Sequence, residues 1–218
     1  VQAVDYVNVF TGTSNSRWML GPYACVPFGM VQPGPDNQGD VWMGGYEYSI
    51  HNIRAFSHLH AWTMAGLSIM PAVQDLTTKD APTDAAYRGA GASYHSRIVK
   101  ETEKGSPGYY SVFLYDCRAR AELTATKRCA FHRYTFQGNE EARILIDLAF
   151  PAEYPFLLHD GQISVVDSRT VEGYAVSSTE YGEHTLYFII EFNKPFKTFN
   201  GWSEPQGVQY GIEEVRDS

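Results

Sequence analysis

The chain has 218 residues, of which 44% are hydrophobic and 19% are charged, and its formal net charge is −8. This length and composition are typical of a folded domain with a sizeable core, and they exclude a disordered chain. The acidic balance excludes nucleic acid as the expected partner, and no apolar run of about 20 residues is present to span a membrane.

The first third of the chain shows no regular periodicity of helices or strands. Residues 12–45 are dense in Gly, Pro, Asn and Trp, with short apolar patches such as residues 26–31. This composition predicts long ordered loops over a sheet, and such loops in a compact domain are usually functional or interfacial. Residues 77–92, rich in Ala, Asp, Thr and Gly, are expected to form a second, exposed loop.

The rest of the chain carries segments that alternate between apolar and polar residues or consist of strong strand formers. Turn signals separate them, for example Gly138-Asn139, Asp160-Gly161 and Lys194-Pro195. Helical patterning is almost absent. We therefore predict an all-β fold, a large antiparallel β-sandwich with long ordered loops and little helix. The predicted strands are residues 109–115, 121–126, 131–136, 142–148, 163–167, 170–176 and 185–192.

The three cysteines are Cys25, Cys117 and Cys129. An odd number excludes complete internal pairing, and no CxxC spacing indicates a metal site. We interpret them mainly as small buried hydrophobic residues. Cys117 and Cys129 have a spacing that also allows a disulfide between neighbouring strands, and the sequence does not decide between the two.

The segment FSHLHAW at residues 56–62 carries the clearest candidate site. On a strand, His58 and His60 would point to the same side. With Trp62 beside them and Trp18 and Trp42 upstream, this surface suits a polyhydroxylated ligand, whose C–H faces stack on aromatic rings. Two alternatives stay open. The histidines are satisfied by backbone groups in the core, or they bind zinc with a third ligand such as His51 or His95.

Three carboxylates lie in aromatic or glycine-rich surroundings, namely Asp36, Asp40 and Glu47. For Asp36 the first expectation is turn capping and the second is ligand contact. A calcium loop beginning at Asp36 is excluded, because Val41 stands where the sharp turn requires Gly. His132 and Arg133 are expected to be structural, one pointing inward and the other outward.

Eight segments, in order along nearly the whole chain, resemble glycoside hydrolase family 92, the calcium-dependent, exo-acting α-mannosidases, in its N-terminal β-sandwich domain. They are YVNVFTGTSNSRWML (6–20), VPFGMVQPGPDNQG (26–39), GGYEYS (44–49), FSHLHAWTMAGLSIMP (56–71), SPGYYSV (106–112), AELTATKRCAFHRYTF (121–136), ARILIDL (142–148) and YFIIEFNKPF (187–196).

The resemblance implies that residues 1–218 are one N-terminal domain of a longer, inverting α-mannosidase. The general acid, the general base and the Ca²⁺ ligands would then belong to a C-terminal (α/α)6 barrel, and we expect no catalytic residue and no metal in this chain. The start at Val1 and the end at Ser218 agree with a piece of a longer protein. A free-standing carbohydrate-binding module and a purely structural scaffold are the alternatives.

The resemblance also implies loop contributions to the sugar-binding site. The expected partners are the chain's own C-terminal catalytic domain and mannose-containing glycans. The expected location is the periplasm or the cell surface and exterior of a bacterium. The predicted substrate-binding residues are Arg17, Trp18, Asp36, Trp42, His58, His60 and Trp62.

Overall fold

The structure, a computed structural model, describes residues 2–14, 20–37, 45–60, 66–73, 95–149, 156–179, 181–203 and 206–217. These residues form sixteen strands and two short 3₁₀ helices, Ala3–Tyr6 and Lys100–Thr102. All strand pairs are antiparallel. The predicted all-β antiparallel architecture with little helix is confirmed.

The first sheet has the strand order β1-β3-β4-β10. Every residue of β1, β3 and β4 is buried, so these strands carry no alternating pattern. No alternation therefore marked β1 as a strand, and it lies within residues 12–45, which were expected to form loops. The strands are β1 (Gly34–Asp36), β3 (Ala55–Ser57), β4 (Ser68–Ala72) and β10 (Arg143–Asp147), and a small separate pair joins β2 (Asn52–Ile53) to β5 (Ser96–Arg97).

The second sheet packs against the first and has the strand order β6-β7-β8-β9. Phe56 and Met70 from the first sheet and Tyr110, Val112 and Leu123 from the second belong to one buried core cluster. Alternation along these strands places one face in that core. The strands are β6 (Lys104–Ser106), β7 (Tyr109–Leu114), β8 (Ala119–Ala125) and β9 (Ala130–Phe136).

The third sheet has the strand order β13-β12-β11-β16. Its inner face contributes Ile163, Val171 and Ala175 to a second core cluster, together with Leu67 and Leu148. The strands are β11 (Leu157–Asp167), β12 (Thr170–Thr179), β13 (Gly182–Glu191) and β16 (Glu214–Asp217), and a hairpin of β14 (Asn200–Ser203) with β15 (Gly207–Tyr210) completes the set.

Two local expectations need correction or resolution. The predicted turn at Asp160-Gly161 is wrong, since both residues lie within β11, where a register shift between Leu158 and Asp160 absorbs the irregularity. Cys117 and Cys129 are unpaired; Cys117 is buried and Cys129 is exposed. The loop predicted at residues 77–92 lies outside the described residues.

Candidate functional site

A buried contact between Asp36 and His60 joins β1 to the segment that follows β3. The Nε2 atom of His60 lies 3.0 Å from Oδ1 of Asp36, and both side chains are wholly buried. The other carboxylate oxygen, Oδ2, accepts a hydrogen bond from the backbone N–H of Ser57 at 2.9 Å. Asp36 was expected to cap a turn, but it lies in β1, where its carboxylate crosslinks two chain segments.

Both ring nitrogens of His60 are engaged. Nδ1 donates to the backbone carbonyl of Gln32 at 2.7 Å, and Nε2 faces Asp36. The hydroxyl of Ser57 also lies 3.0 Å from Nε2, so this edge of the ring faces two polar groups. The ring of Tyr23 stacks on His60 with centroids 3.8 Å apart and planes 16° apart, so the imidazole is fixed from its edges and one face.

Asn37, next to Asp36, holds together the two ends of the segment 38–44. Its backbone N–H donates to the carbonyl of Gly45 at 2.7 Å. Its side-chain amide donates to the carbonyl of Glu47 at 2.9 Å and accepts from the N–H of Glu47 at 2.8 Å. Three hydrogen bonds therefore close the chain on either side of the segment that contains Trp42.

His58 links the residues on either side of the segment 61–65. Its Nδ1–H donates to the backbone carbonyl of Leu67. Leu67 has a φ of 51°, a left-handed conformation that costs a non-glycine residue about 1–3 kcal/mol and persists only where its surroundings hold it. Burial lowers the pKa of His58 to about 4, so the ring is neutral at pH 7. The segment that contains Trp62 thus begins and ends beside a fixed imidazole.

The segment 15–19, which contains Arg17 and Trp18, leaves from the same neighbourhood. Thr13 is buried, and its carbonyl accepts a hydrogen bond from the N–H of Tyr48 at 3.0 Å. Tyr48 follows Glu47, which Asn37 holds. On the far side of the segment, the chain passes through Leu20 to Tyr23, the ring that stacks on His60. We refer to Tyr23, Asp36, Asn37, His58 and His60 as the loop base.

An open cavity of about 330 Å³ lies beside the start of the segment 15–19. Phe10 and Tyr48 form an edge-to-face pair in its lining, and the ammonium group of Lys100 lies 4.0 Å from the centroid of the Tyr48 ring. Lys100 in turn forms an ion pair with Glu103 at 2.6 Å. Aromatic faces beside charged and polar groups suit a hydroxylated ligand. None of these residues was predicted as a site residue from the sequence, although the two tyrosines of the motif YEYS at 46–49 indicate an aromatic surface.

The structure brings together three of the seven predicted site residues. Asp36, His58 and His60 meet in the loop base, but His58 and His60 follow β3 and do not lie on a strand. All three are buried and hydrogen bonded to neighbours, as the alternative of structural core histidines expects. Direct sugar contact by them stays a prediction. Arg17, Trp18, Trp42 and Trp62 lie outside the described residues.

The described residues do not supply the ligand set of a metal ion. In the ranges that the structure describes, no group of three or more His, Cys, Asp or Glu side chains is placed to hold one. The zinc alternative for His58 and His60 therefore gains no third ligand there. Nor do the same ranges supply such a group for Ca²⁺.

The fold and the loop base define an antiparallel β-sandwich domain that gathers the ends of three tryptophan-bearing segments around one buried cluster. The family described as Glycosyl hydrolase family 92 N-terminal domain matches residues 6–216, and the chain belongs to this family. The family resemblance drawn from the sequence motifs is confirmed.

Three similar proteins illustrate the relationship. An uncharacterized secreted glycosidase from Arthroderma benhamiae is 28% identical over 152 residues, which cover 66% of this chain and 19% of that protein. The GH92 α-mannosidase BT3965 from Bacteroides thetaiotaomicron is 25% identical with a TM-score of 0.83, over 98% of this chain and 30% of its own. The GH92 inverting mannosidase BT2199 from the same species shares the fold, with 22% identity and a TM-score of 0.76. The match covers 100% of this chain and 29% of that protein.

The chain thus spans less than a third of the length of each of these relatives. No helix among the residues described is long and apolar enough to cross a membrane.

Proposed function

We propose that this chain is the accessory N-terminal domain of an exo-acting, inverting α-mannosidase. In this proposal residues 1–218 form one domain, a C-terminal (α/α)6 domain carries the general acid, the general base and the Ca²⁺ ligands, and this chain contributes loop residues to the sugar-binding site. The observation that supports it most is the loop base, because the segments containing Trp18, Trp42 and Trp62 all begin or end at its residues or at their hydrogen-bonded neighbours.

The carboxylates of the loop base support a catalytic pair located elsewhere. Inverting hydrolysis requires an acid and a base about 6.5–9.5 Å apart, with room for a water molecule. The Asp36 carboxylate is buried against His60 and the Ser57 N–H. The Glu47 carboxylate is buried and accepts from the backbone and hydroxyl of Ser49. Because both are buried, we do not propose either of them as the catalytic acid or base.

The tryptophans have the chemistry that a mannose ring requires. An indole stacks on the C–H face of a pyranose and offers one N–H donor, and Arg17 adds a cation beside Trp18. We infer that Asp36, His58 and His60 act on the sugar site mainly by fixing where these segments leave the sandwich. Direct contact of His58, His60 or Asp36 with the sugar remains part of the proposal.

The proposed location is extracellular or periplasmic, in a bacterium. The fungal relative is named a secreted glycosidase, and a similar α-mannosidase structure comes from a bacterium. A glycan-degrading enzyme has its polymeric substrates outside the cytoplasm, which supports the same location.

Replacing Trp18 and Trp62 by Ala in the complete protein tests the loop contribution. We expect kcat/KM for an α-mannoside to fall about ten-fold or more for each variant, since each loses stacking area worth roughly 1.5–3 kcal/mol. Tyr210→Ala, an exposed aromatic on β15 that is 71% accessible, is the matched control and should keep full activity. Unchanged kinetics in both tryptophan variants would favour the structural scaffold. Binding of mannose by this chain alone, with no gain on adding the C-terminal domain, would favour the carbohydrate-binding module.

A further inference from the structure

The outer face of the third sheet carries a cavity that the loop base does not explain. Strand register places Gln162, Tyr174 and Tyr187 side by side across β11, β12 and β13, with Ser164 and Glu172 in the next row. A cavity of about 310 Å³ lies over these residues. We call Gln162, Ser164, Glu172, Tyr174 and Tyr187 the platform.

The platform lies on the opposite side of the sheet from the loop base. The residues that alternate with it, Ile163, Val171 and Ala175, point into the second core cluster, where they pack with Leu67. Leu67 is the residue whose carbonyl binds His58. Because successive side chains on a strand point to opposite faces, a ligand on the platform is separated from the loop base by the sheet itself.

The platform's aromatic rings are arranged as a ligand-binding pair. Tyr174 and Tyr187 have ring centroids 6.3 Å apart and planes 45° apart, which opens a shallow cleft between them. The hydroxyl of Tyr174 donates to Asp160 at 2.9 Å and fixes that ring. Tyr187 is 77% accessible, and among the described residues its hydroxyl has no hydrogen-bond partner. The Tyr174 ring is therefore held in one orientation, and the Tyr187 ring is exposed to solvent.

Polar groups that can bind hydroxyls surround these rings. Gln162 donates to Ser164 at 2.9 Å and to Glu214 at 2.8 Å, which leaves its carbonyl oxygen to accept. The Glu172 carboxylate makes no hydrogen bond to any described side chain or backbone group. Acceptors of this kind bind hydroxyl groups, and carboxylates disfavour anionic polymers.

We propose that the platform is a second, non-catalytic binding site for a neutral hexose polysaccharide. The paired tyrosines stack on pyranose rings, and Gln162 and Glu172 accept from their hydroxyls. Carboxylates lie at its centre and rim, and such residues are depleted in the core of a domain interface. The choice of mannan as the probe rests on the proposed function.

Affinity electrophoresis of the complete protein in gels with yeast mannan, an α-glucan or a β-glucan tests this proposal. We expect retardation by mannan, reduced about ten-fold in affinity by Tyr187→Ala and by Glu172→Ala, and unchanged in Tyr210→Ala. Hydrolysis of a small α-mannoside should be unchanged in all three variants. Retardation by none of the polymers, or equal retardation of Tyr187→Ala and the parent, would overturn the platform while leaving the proposed function intact.

A labelling experiment checks whether another protein surface covers the platform. Tyr187→Cys is prepared in a Cys129→Ser background, because Cys129 is the cysteine exposed among the three. Rapid maleimide labelling of position 187 in the complete protein is the expected result. Protection there would assign this face to the C-terminal domain or to a second copy and would overturn the proposal.

Discussion

The imidazole of His58 stacks on the imidazole of His132, with ring centroids 4.9 Å apart and planes 27° apart. His58 belongs to the loop base, and His132 lies in β9 of the second sheet. Burial lowers the pKa of His58 to about 4. Burial, and then the neighbouring His58, hold the pKa of His132 well below its usual value. The contact joins the loop base to the sandwich through two neutral rings.

This pair predicts a loss of stability in mild acid. Both folded-state pKa values lie below the unfolded value of about 6.5, so the contribution of each ring is complete above pH 6.5 and declines as pH falls, for His58 towards pH 4. For His58 the change from 6.5 to about 4 corresponds to roughly 3 kcal/mol. The groups facing the pair include His60, Asp36 and Tyr134. Urea unfolding between pH 7 and 5 measures the effect.

Two variants separate this cause from general acid denaturation. Asn in place of His58 keeps a donor for the Leu67 carbonyl and removes one titrating ring, so its stability should depend less on pH. His159→Asn alters an exposed histidine on β11 and should follow the parent. A His58→Asn curve parallel to that of the parent would contradict the assignment.

Removing the Asp36 carboxylate is expected to destabilise the domain strongly. Asp36→Ala removes the acceptor of the Ser57 N–H and one partner of the His60 Nε2 atom in a wholly buried place, which costs about 3–5 kcal/mol. Asp36→Asn retains an acceptor and should lose less. Glu141→Ala breaks an exposed ion pair with Lys197 and should cost less than about 1 kcal/mol. Chemical denaturation of the three variants gives the order, and equal losses for Asp36→Ala and Glu141→Ala would contradict the buried pair.

We expect the thiols of Cys117 and Cys129 to differ in reactivity and to form no disulfide. Cys129 is exposed, whereas Cys117 is buried, and burial raises the pKa of the Cys117 thiol to about 11. Because the thiolate is the reactive form, iodoacetamide at pH 8 should modify Cys129 first and Cys117 only on unfolding. Mass spectrometry of the labelled protein before and after reduction checks this, and a mass gain that depends on reduction would reveal a disulfide.

The strands β7 to β13 were predictable because their side chains alternate or are strong strand formers, whereas the short strands β6, β14, β15 and β16 were not predicted. The segment FHRYTF illustrates the alternation, since His132 is half-buried and faces inward while Arg133 is exposed and pairs with Glu122. The short strands β1 and β3 were not predictable, because they are buried on both faces and because PGPD reads locally as a turn. Tertiary pairing with β3 decides the conformation of Asp36.

The candidate site was predictable in its residue types but not in its arrangement. His58 and His60 were singled out correctly as unusual, yet their partners come from distant positions: Gln32, Asp36 and Leu67. No periodicity encodes such contacts. The positive φ of Leu67 is likewise a consequence of packing and of the hydrogen bond from His58, and propensity alone would have argued against it.

In the proposed function, this domain completes a sugar site whose catalytic groups belong to another part of the polypeptide. The most direct measurement is hydrolysis of an α-mannoside, with calcium present, by three samples: residues 1–218 alone, the C-terminal portion alone, and the complete protein. We predict turnover by the complete protein, none by residues 1–218, and severely reduced turnover by the C-terminal portion. Turnover by residues 1–218 alone, or full activity of the C-terminal portion without them, would contradict the account.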